Sequence, residues 1–181
     1  MDDGIRIGFF GNLHRQIRII NFSVMYISTM EIQVTYGDTD MMGIIYHANY
    51  LRWFELGRTR LIEEVGFSYA EMENAGYCSP VLQVEITYKK PVRYGDRVFV
   101  KTWVEENLGH KTTYGYEIVN GEGTLCATGF TQHTILRKES FKPIRFIHHF
   151  PEWFQKYEAI KRICGDPLSL KSINTNKNKR I

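Results

Sequence analysis

The sequence predicts a single α+β domain in which antiparallel strands surround one long helix. Five segments alternate apolar and polar residues with a period of two, which is typical of half-buried strands. Between the first two of these segments, the apolar residues change to spacings of three and four, which is typical of a helix. A chain of 181 residues that is 43% hydrophobic is long enough for one well-packed core but short for two. The predicted order is therefore β-α-β-β-β-β, followed by an additional C-terminal helix.

The first strand is predicted over residues 31–36, where Ile32, Val34 and Tyr36 alternate with polar residues. After a loop, a helix of about five turns is predicted over residues 50–65 and ends at Gly66. Its apolar side consists of residues three or four positions apart: Tyr50, Phe54, Gly57, Leu61 and Val65.

Four more strands follow, and the last two are joined by Asn120-Gly121, which is typical of a type I′ hairpin turn. The C-terminal helix is predicted over residues 151–163, and we expect it to pack on the outside of the domain. The four strands are predicted over residues 82–89, 98–105, 114–118 and 125–136.

The two ends of the chain do not follow these patterns. Residues 1–29 are interpreted as an upstream extension, residues 30–165 as the folded domain, and residues 166–181 as a polar, disordered tail. The apolar run between residues 16 and 27 is interrupted by Arg18 and Asn21 and is too short to span a bilayer. We therefore expect no membrane span.

The composition of the chain indicates which kind of partner it binds and in which cellular compartment it works. The formal net charge of +3 arises from interleaved basic and acidic residues, which argues against nucleic acid as the main partner. The cysteines, Cys78, Cys126 and Cys164, are odd in number and have no CxxC spacing. This usage favours a reducing, cytoplasmic setting, with the thiols as small apolar fillers. We predict no structural metal.

The densest candidate site is the loop before the long helix, which carries Asp38, Asp40 and His47. A helix start presents unpaired N–H groups and the positive end of the macrodipole, so it can hold an oxyanion. A thioester carbonyl placed there would be polarised, and Asp40 could attack it directly or take a proton from water. The same residues also suit structural roles, since aspartate is common in turns and N-caps and His47 could pack against Tyr46. The residue pattern alone leaves these alternatives open.

The motif around this loop resembles a known family. It reads Tyr36-Gly37-Asp38-Thr39-Asp40, Gly43, Ile44-Ile45 and Tyr46-His47-Ala48-Asn49-Tyr50, continued by Trp53-Phe54-Glu55 and Arg58. Over residues 31–142 the chain resembles the 4-hydroxybenzoyl-CoA thioesterase family of hotdog proteins. The resemblance implies a curved antiparallel sheet wrapped around the helix, and an acyl-CoA thioesterase that needs no cofactor. It also implies that Asp40 is the catalytic acid, that Asp38 supports it, and that the His47 N–H, beside Tyr46, polarises the carbonyl.

The resemblance also implies an assembly, because such proteins pair sheet edges into dimers, often dimers of dimers, with the site between subunits. We therefore expect a homodimer or homotetramer. Glu55 and Arg58, one helical turn apart, are interpreted as a structural ion pair. Aromatic residues of the later strands are expected either at the interface or, equally, in the core: Phe99, Trp103, Tyr114 and Tyr116.

Coenzyme A carries phosphates, so cations are expected at the mouth of an acyl tunnel. The candidates are His110-Lys111-Thr112 and Arg137-Lys138, although basic residues at strand ends are more often solvated. Lys89, Lys90 and Arg93 are similar candidates. The identity of the acyl group depends on tunnel depth, and an acyl carrier protein is an alternative to coenzyme A. Residues that could set the depth are Met41, Met42, Phe67, Tyr69 and Met72.

Two other function classes fit the same fold. A hydratase or dehydratase acting on acyl thioesters would pair His47 with Glu55, but residues eight apart lie more than two turns apart and would have to meet across subunits. An acyl-binding module without activity is the third interpretation, because a fold alone does not fix function.

Overall fold

A computed structural model of the chain describes residues 25–162. Within the predicted ends of the chain, residues 1–24, Cys164 and residues 166–181 lie outside the described residues. The described elements run in the order β1, a short 3-10 turn, α1, α2, β2 to β7, α3 and α4. One long helix among antiparallel strands confirms the predicted α+β class.

The main sheet has five antiparallel strands in the order β1-β4-β5-β6-β3. Strands β1 and β3 are therefore its edges, and β5 is its centre. The strands are β1 (Ser28–Ile32), β3 (Val81–Tyr88), β4 (Val98–Asn107), β5 (Thr112–Asn120) and β6 (Leu125–His133).

Helix α1 (Asn49–Glu64) packs its apolar side against this sheet. Trp53, Phe54 and Leu61 are at most 1% exposed, and burial of side chains of this size stabilises the fold by about 1.5–3 kcal/mol each. At Gly57 the helix backbone lies directly on β4, since a Cβ atom there would come within 2.7 Å of Val100 Cγ1. The helix is thus held against the sheet from Trp53 to Leu61.

The first strand lies earlier than predicted, at Ser28–Ile32 instead of residues 31–36. The chain leaves the sheet because Asp38 Oδ2 accepts hydrogen bonds from both the N–H and the hydroxyl of Thr35, each at 2.8 Å. These bonds close the 3-10 turn Tyr36–Asp38. Val34 therefore lies in the connection after β1, and Tyr36 lies in the 3-10 turn, so neither belongs to a strand.

The hairpin between β5 and β6 was predicted correctly, but its turn type was wrong. The turn contains residues 121–124, and Gly123, with φ of 80°, adopts the left-handed conformation instead of Gly121. The Asn120 side chain organises the turn, because its Oδ1 accepts hydrogen bonds from the N–H groups of Glu122 and Thr124.

Several short elements have no clear sequence signal. The predicted strand over residues 125–136 divides into β6 and the separate β7, which pairs with β2 in a two-stranded sheet. The C-terminal helix is confirmed, and none of the helices within residues 25–162 is long and apolar enough to cross a bilayer. The elements that were not predicted are α2 (Tyr69–Asn74), β2 (Tyr77–Cys78) and α3 (Phe146–His149). β7 is Leu136–Arg137, and the confirmed C-terminal helix is α4 (Pro151–Ile160).

Three of the four aromatic residues that the sequence allows either at an interface or in the core lie in the core. Trp103, Tyr114 and Tyr116 are only 3%, 5% and 0% exposed. The Tyr116 ring stacks on Phe54 of α1 with centroids 4.2 Å apart, and the Tyr114 hydroxyl lies 3.0 Å from that of Tyr157 on α4. These three side chains are buried within the single chain, so they cannot form an interface with a second copy.

Candidate active site at the start of helix α1

The loop between the 3-10 turn and α1 forms a tight hairpin. The Asp40 N–H donates to the Ile44 carbonyl, the Gly43 N–H to the Asp40 carbonyl, and the Tyr46 N–H to the Asp38 carbonyl, each at 2.9 Å. Gly43, with φ of 68°, makes the reversal at the tip possible. Asp40 and the helix start thereby belong to one short, hydrogen-bonded unit.

Three contacts hold this unit against the rest of the domain. The Ile45 N–H donates to the Val92 carbonyl at 2.9 Å, and Arg93 donates to the Gly43 carbonyl at 3.3 Å. The Tyr88 hydroxyl, at the end of β3, donates to the His47 carbonyl at 3.0 Å. The candidate site is therefore attached directly to the edge strand of the sheet.

Asp38 has a structural role in this geometry. Its side chain is nearly buried and binds Thr35 on one side and Arg52 of α1 at 2.8 Å on the other. Burial alone would raise its pKa, but the hydrogen bonds from Thr35 and the charge of Arg52 outweigh burial and hold the pKa below its usual value. Its carboxylate is thus occupied in fixing the loop to the helix.

Asp40 is placed differently. It is half-buried, and its Oδ1 accepts one hydrogen bond, from the Met42 N–H at 2.8 Å. Within residues 25–162, Asp40 makes no ion pair, and its Oδ2 accepts no hydrogen bond. One oxygen therefore holds the turn while the other is available to a substrate or a water molecule.

The start of α1 supplies main-chain donors beside this loop. Its N-cap residue, Ala48, provides no side-chain cap. The Tyr46 N–H is already bonded to Asp38, whereas the His47 N–H has no acceptor in the described part of the chain. The rings of Tyr46 and His47 are exposed, with centroids 4.4 Å apart. The His47 N–H is thus open to an incoming carbonyl, as is the neighbouring Ala48 N–H.

The residues predicted to bind coenzyme A lie in two other places. His110, Lys111 and Thr112 line a cavity at the far half of α1. By contrast, Arg137 lies over the Tyr77 ring and Lys138 is 3.6 Å from Glu73. Neither of these two lines the cavity.

The residues proposed to set the depth of an acyl tunnel also lie in different parts of the structure. Tyr69 and Met72 line the same cavity, whereas Met41 and Met42 are exposed next to Asp40. Phe67 stacks on Trp153 with centroids 4.9 Å apart. A single tunnel within one chain does not contain all five residues.

The cavity contains two residues that the sequence analysis did not assign to a site, Arg58 and His133. The predicted ion pair between Glu55 and Arg58 is wrong, because Glu55 is exposed while Arg58 turns inward and contacts His133 Nδ1 at 3.3 Å. One sequence signal could have predicted that His133 is buried. It lies two residues after Thr131 in the same strand, so both side chains point to the same face of the sheet.

No cluster of three or more His, Cys, Asp or Glu side chains suited to a metal ion occurs among residues 25–162. Within the same residues the thiols of Cys78 and Cys126 are free, and Cys126 is buried in the core. Neither lies in the loop that carries Asp40.

The sheet that packs around one central helix defines the hotdog class of folds. The chain belongs to the Thioesterase-like superfamily, whose family model matches residues 34–156. The match supports the predicted resemblance at the level of the superfamily, and the narrower 4-hydroxybenzoyl-CoA family stays a prediction.

Individual relatives agree with this assignment. The chain is 50% identical over 138 residues to the putative acyl-CoA thioesterase YneP of Bacillus subtilis, covering 76% of this chain and 100% of that protein. It is 30% identical over 94 residues to the acyl-CoA thioester hydrolase YbgC of Escherichia coli, covering 52% of this chain and 70% of that protein. Among solved structures, DHNA-CoA thioesterase from Staphylococcus aureus superimposes with a TM-score of 0.72 at 39% identity, covering 86% of this chain and 97% of that chain.

Proposed function

We propose that this chain hydrolyses the thioester bond of a small or medium acyl-CoA, with Asp40 as the reacting carboxylate and the His47 N–H as the donor to the carbonyl oxygen. One observation carries the proposal. Within a single loop, an Asp40 carboxylate oxygen and the His47 N–H are left without partners among the described residues, while the Asp38 carboxylate and the Tyr46 N–H are engaged.

The chemistry follows from these two groups. Negative charge develops on the thioester oxygen as the tetrahedral intermediate forms, and a well-placed N–H donor there is worth about 3–4 kcal/mol. Asp40 either attacks the carbonyl carbon, forming a mixed anhydride that water then hydrolyses, or takes a proton from the attacking water. In both routes the C–S bond breaks, coenzyme A leaves as the thiol after protonation, and the acid is released.

The two alternatives have less support. Hydration of an acyl thioester would require the His47 ring, which precedes α1, and Glu55 of α1; both are exposed and they lie eight residues apart. A module that only binds acyl groups would leave the unpartnered Asp40 oxygen without a role. The names of the Bacillus and Staphylococcus relatives, a putative acyl-CoA thioesterase and a DHNA-CoA thioesterase, also favour hydrolysis.

Thiol release tests the proposal directly. We expect the full chain to release free coenzyme A from at least one member of a panel of short, medium and aromatic acyl-CoAs, followed with a thiol reagent. The matching acyl carrier protein thioesters show which carrier is used. Hydration without thiol release would identify the hydratase class, and binding without turnover would identify the inactive module.

We further propose that two copies pair through the β3 edge, which would place the candidate site at a subunit interface. Val81, Leu82 and Val84 on this edge are 52%, 55% and 40% exposed. A long apolar edge strand is an unfavourable surface for a monomer and a template for strand pairing. Tyr88 at the end of the same strand binds the helix start, so the edge and the candidate site are adjacent.

If two copies pair through β3, positive charges introduced on this edge should prevent dimer formation. Leu82→Lys combined with Val84→Lys should convert the dimer into a monomer, as measured by sedimentation velocity, because two buried ammonium groups per chain would oppose association. Ile147→Lys is the matched control, since Ile147 is equally exposed, at 41%, but lies on α3. An unchanged dimer in the β3 variant would contradict the proposed edge.

We also propose that the protein works in the reducing environment of the cytoplasm. The support is the use of cysteine, since the described thiols are free.

A further inference from the structure

The cavity at the far half of α1, here called the Arg58 cavity, is small and separate from the Asp40 loop. Arg58 lies nine residues after Asn49, so the cavity is displaced by about 14 Å along the helix axis from the helix start. The cavity has a volume of about 20 Å³, whereas one water molecule needs roughly 10–15 Å³. It therefore has room for one or two particles of the size of a water molecule and is too small for an organic ligand.

Arg58 lines this cavity without a counter-ion. It is only 8% exposed, yet no Asp or Glu side chain within residues 25–162 forms an ion pair with it, and none lines the cavity. Its contacts are His133 Nδ1 at 3.3 Å and the Tyr69 ring, whose centroid is 5.4 Å away. A guanidinium has five N–H donors, so most of its hydrogen-bonding capacity is unused. Buried charges are normally paired because desolvation is costly.

The neighbouring titratable groups do not neutralise this charge. A guanidinium only donates, so His133 Nδ1 must accept from Arg58, and the ring proton must lie on Nε2, which donates to Thr131 Oγ1 at 2.9 Å. Burial, followed by the charge of Arg58, lowers the pKa of His133 to about 3, so this ring is neutral. Burial also raises the pKa of Tyr114, so its phenol is neutral as well. The inner end of the cavity therefore carries one net positive charge.

The other lining residues favour an anion of low charge. Lys111, which is half-buried, adds a second positive charge at the cavity. Ile62, Met72 and Trp153 make part of the wall apolar, and each is at most 5% exposed. Removal of an ion from water costs more for a multiply charged anion such as phosphate than for a monovalent one. A water molecule would fill the same volume but would leave the charge of Arg58 uncompensated.

We propose that the Arg58 cavity binds a single monovalent inorganic anion, chloride, which accepts hydrogen bonds from the Arg58 N–H groups that do not contact His133. Chloride is only slightly larger than a water molecule, so it matches the volume of the cavity. It completes a charge-neutral contact between α1, which carries Arg58, and β6, which carries His133. This role is structural and does not rest on the proposed hydrolysis of acyl-CoA.

The first test follows the melting temperature of the full wild-type chain as sodium chloride replaces sodium gluconate at constant ionic strength. Gluconate is too large for the cavity, so the exchange changes its occupancy while the screening of surface charges stays the same. We expect a saturable rise of about 3–6 °C, the size expected from a ligand well above its dissociation constant in a domain of this length. Sodium bromide should give the same rise, because bromide has the same charge and a similar size.

Three variants test whether this rise comes from the Arg58 cavity. Arg58→Gln should remove the rise, whereas Arg60→Gln should keep it, since the Arg60 side chain lies on the same helix but is 53% exposed. Ser79 lines the cavity, so Ser79→Asp would supply an internal counter-ion and should also remove the chloride response. The Ser79 variant retains Arg58, so the comparison stands even if Arg58→Gln does not fold.

Diffraction then locates the ion. Crystals of the wild-type chain grown in bromide should show an anomalous difference peak beside the Arg58 guanidinium. An equal chloride response in the wild type and Ser79→Asp would mean an adventitious ion only, bound elsewhere on the surface, and would overturn the proposal. The same melting temperature in gluconate and in chloride, or bromide-grown crystals without a peak in the cavity, would overturn it as well.

Discussion

Asp40→Asn is expected to lower the rate of thioester hydrolysis by about 100-fold to 10,000-fold, the range contributed by a positioned acid or base. Asparagine retains the Oδ1 atom, so the hydrogen bond from the Met42 N–H can persist and the hairpin should keep its shape. The substitution removes only the negative charge and the basic or nucleophilic oxygen. The measurement is thiol release under saturating substrate, with the melting temperature recorded on the same sample.

Asp96→Asn is the matched control for this variant. Asp96 is another loop aspartate, and its Oδ2 accepts a hydrogen bond from the Arg93 N–H at 2.8 Å. Its replacement should leave turnover within about twofold, as expected for an ordinary surface substitution. His47→Ala should be milder than Asp40→Asn because the main-chain N–H remains. Equal hydrolysis by wild type and Asp40→Asn would refute the assignment of Asp40.

The sequence could predict the loop but could not separate its two acids. Turn chemistry accepts either aspartate, and only the proposed family resemblance favoured Asp40. The structure adds a physical distinction, because Asp38 is held by Thr35 and by Arg52, which is 14 residues further along the chain. That pairing depends on where α1 lies over the loop, and no local pattern encodes it.

Contacts between residues far apart in the chain also explain why the Arg58 contact could not be predicted from the sequence. The contact between Arg58 and His133 joins residues 75 positions apart, whereas Glu55 offered a plausible local partner. Periodicity predicted α1 and the main strands because each has a strong apolar side. The first strand was misplaced because apolar side chains continue to alternate at Val34 and Tyr36, although β1 ends at Ile32 and the Thr35–Asp38 hydrogen bonds turn the chain away.

Gly129→Ala should give the largest loss of stability among single methyl additions in the core. Gly129 lies in β6, opposite Tyr116 of β5. A Cβ atom there would come within 2.7 Å of Phe54 Cε2 and would also clash with the main-chain carbonyl of Glu85. The carbonyl belongs to the β3 backbone and cannot rotate away, while Phe54 is confined by its stacking on Tyr116.

The strain must therefore move β3 or tilt α1, and both elements carry the candidate site. We expect Gly129→Ala to lower the free energy of unfolding by about 3 kcal/mol, at the upper end for overpacking, which corresponds to a fall of roughly 6–12 °C in melting temperature. Gly37→Ala is the control, since its Cβ would have no neighbour closer than 4.0 Å. Equal melting temperatures for the two variants would mean that β3 yields easily at Glu85, and the rigid attachment of the site to this edge would then be wrong.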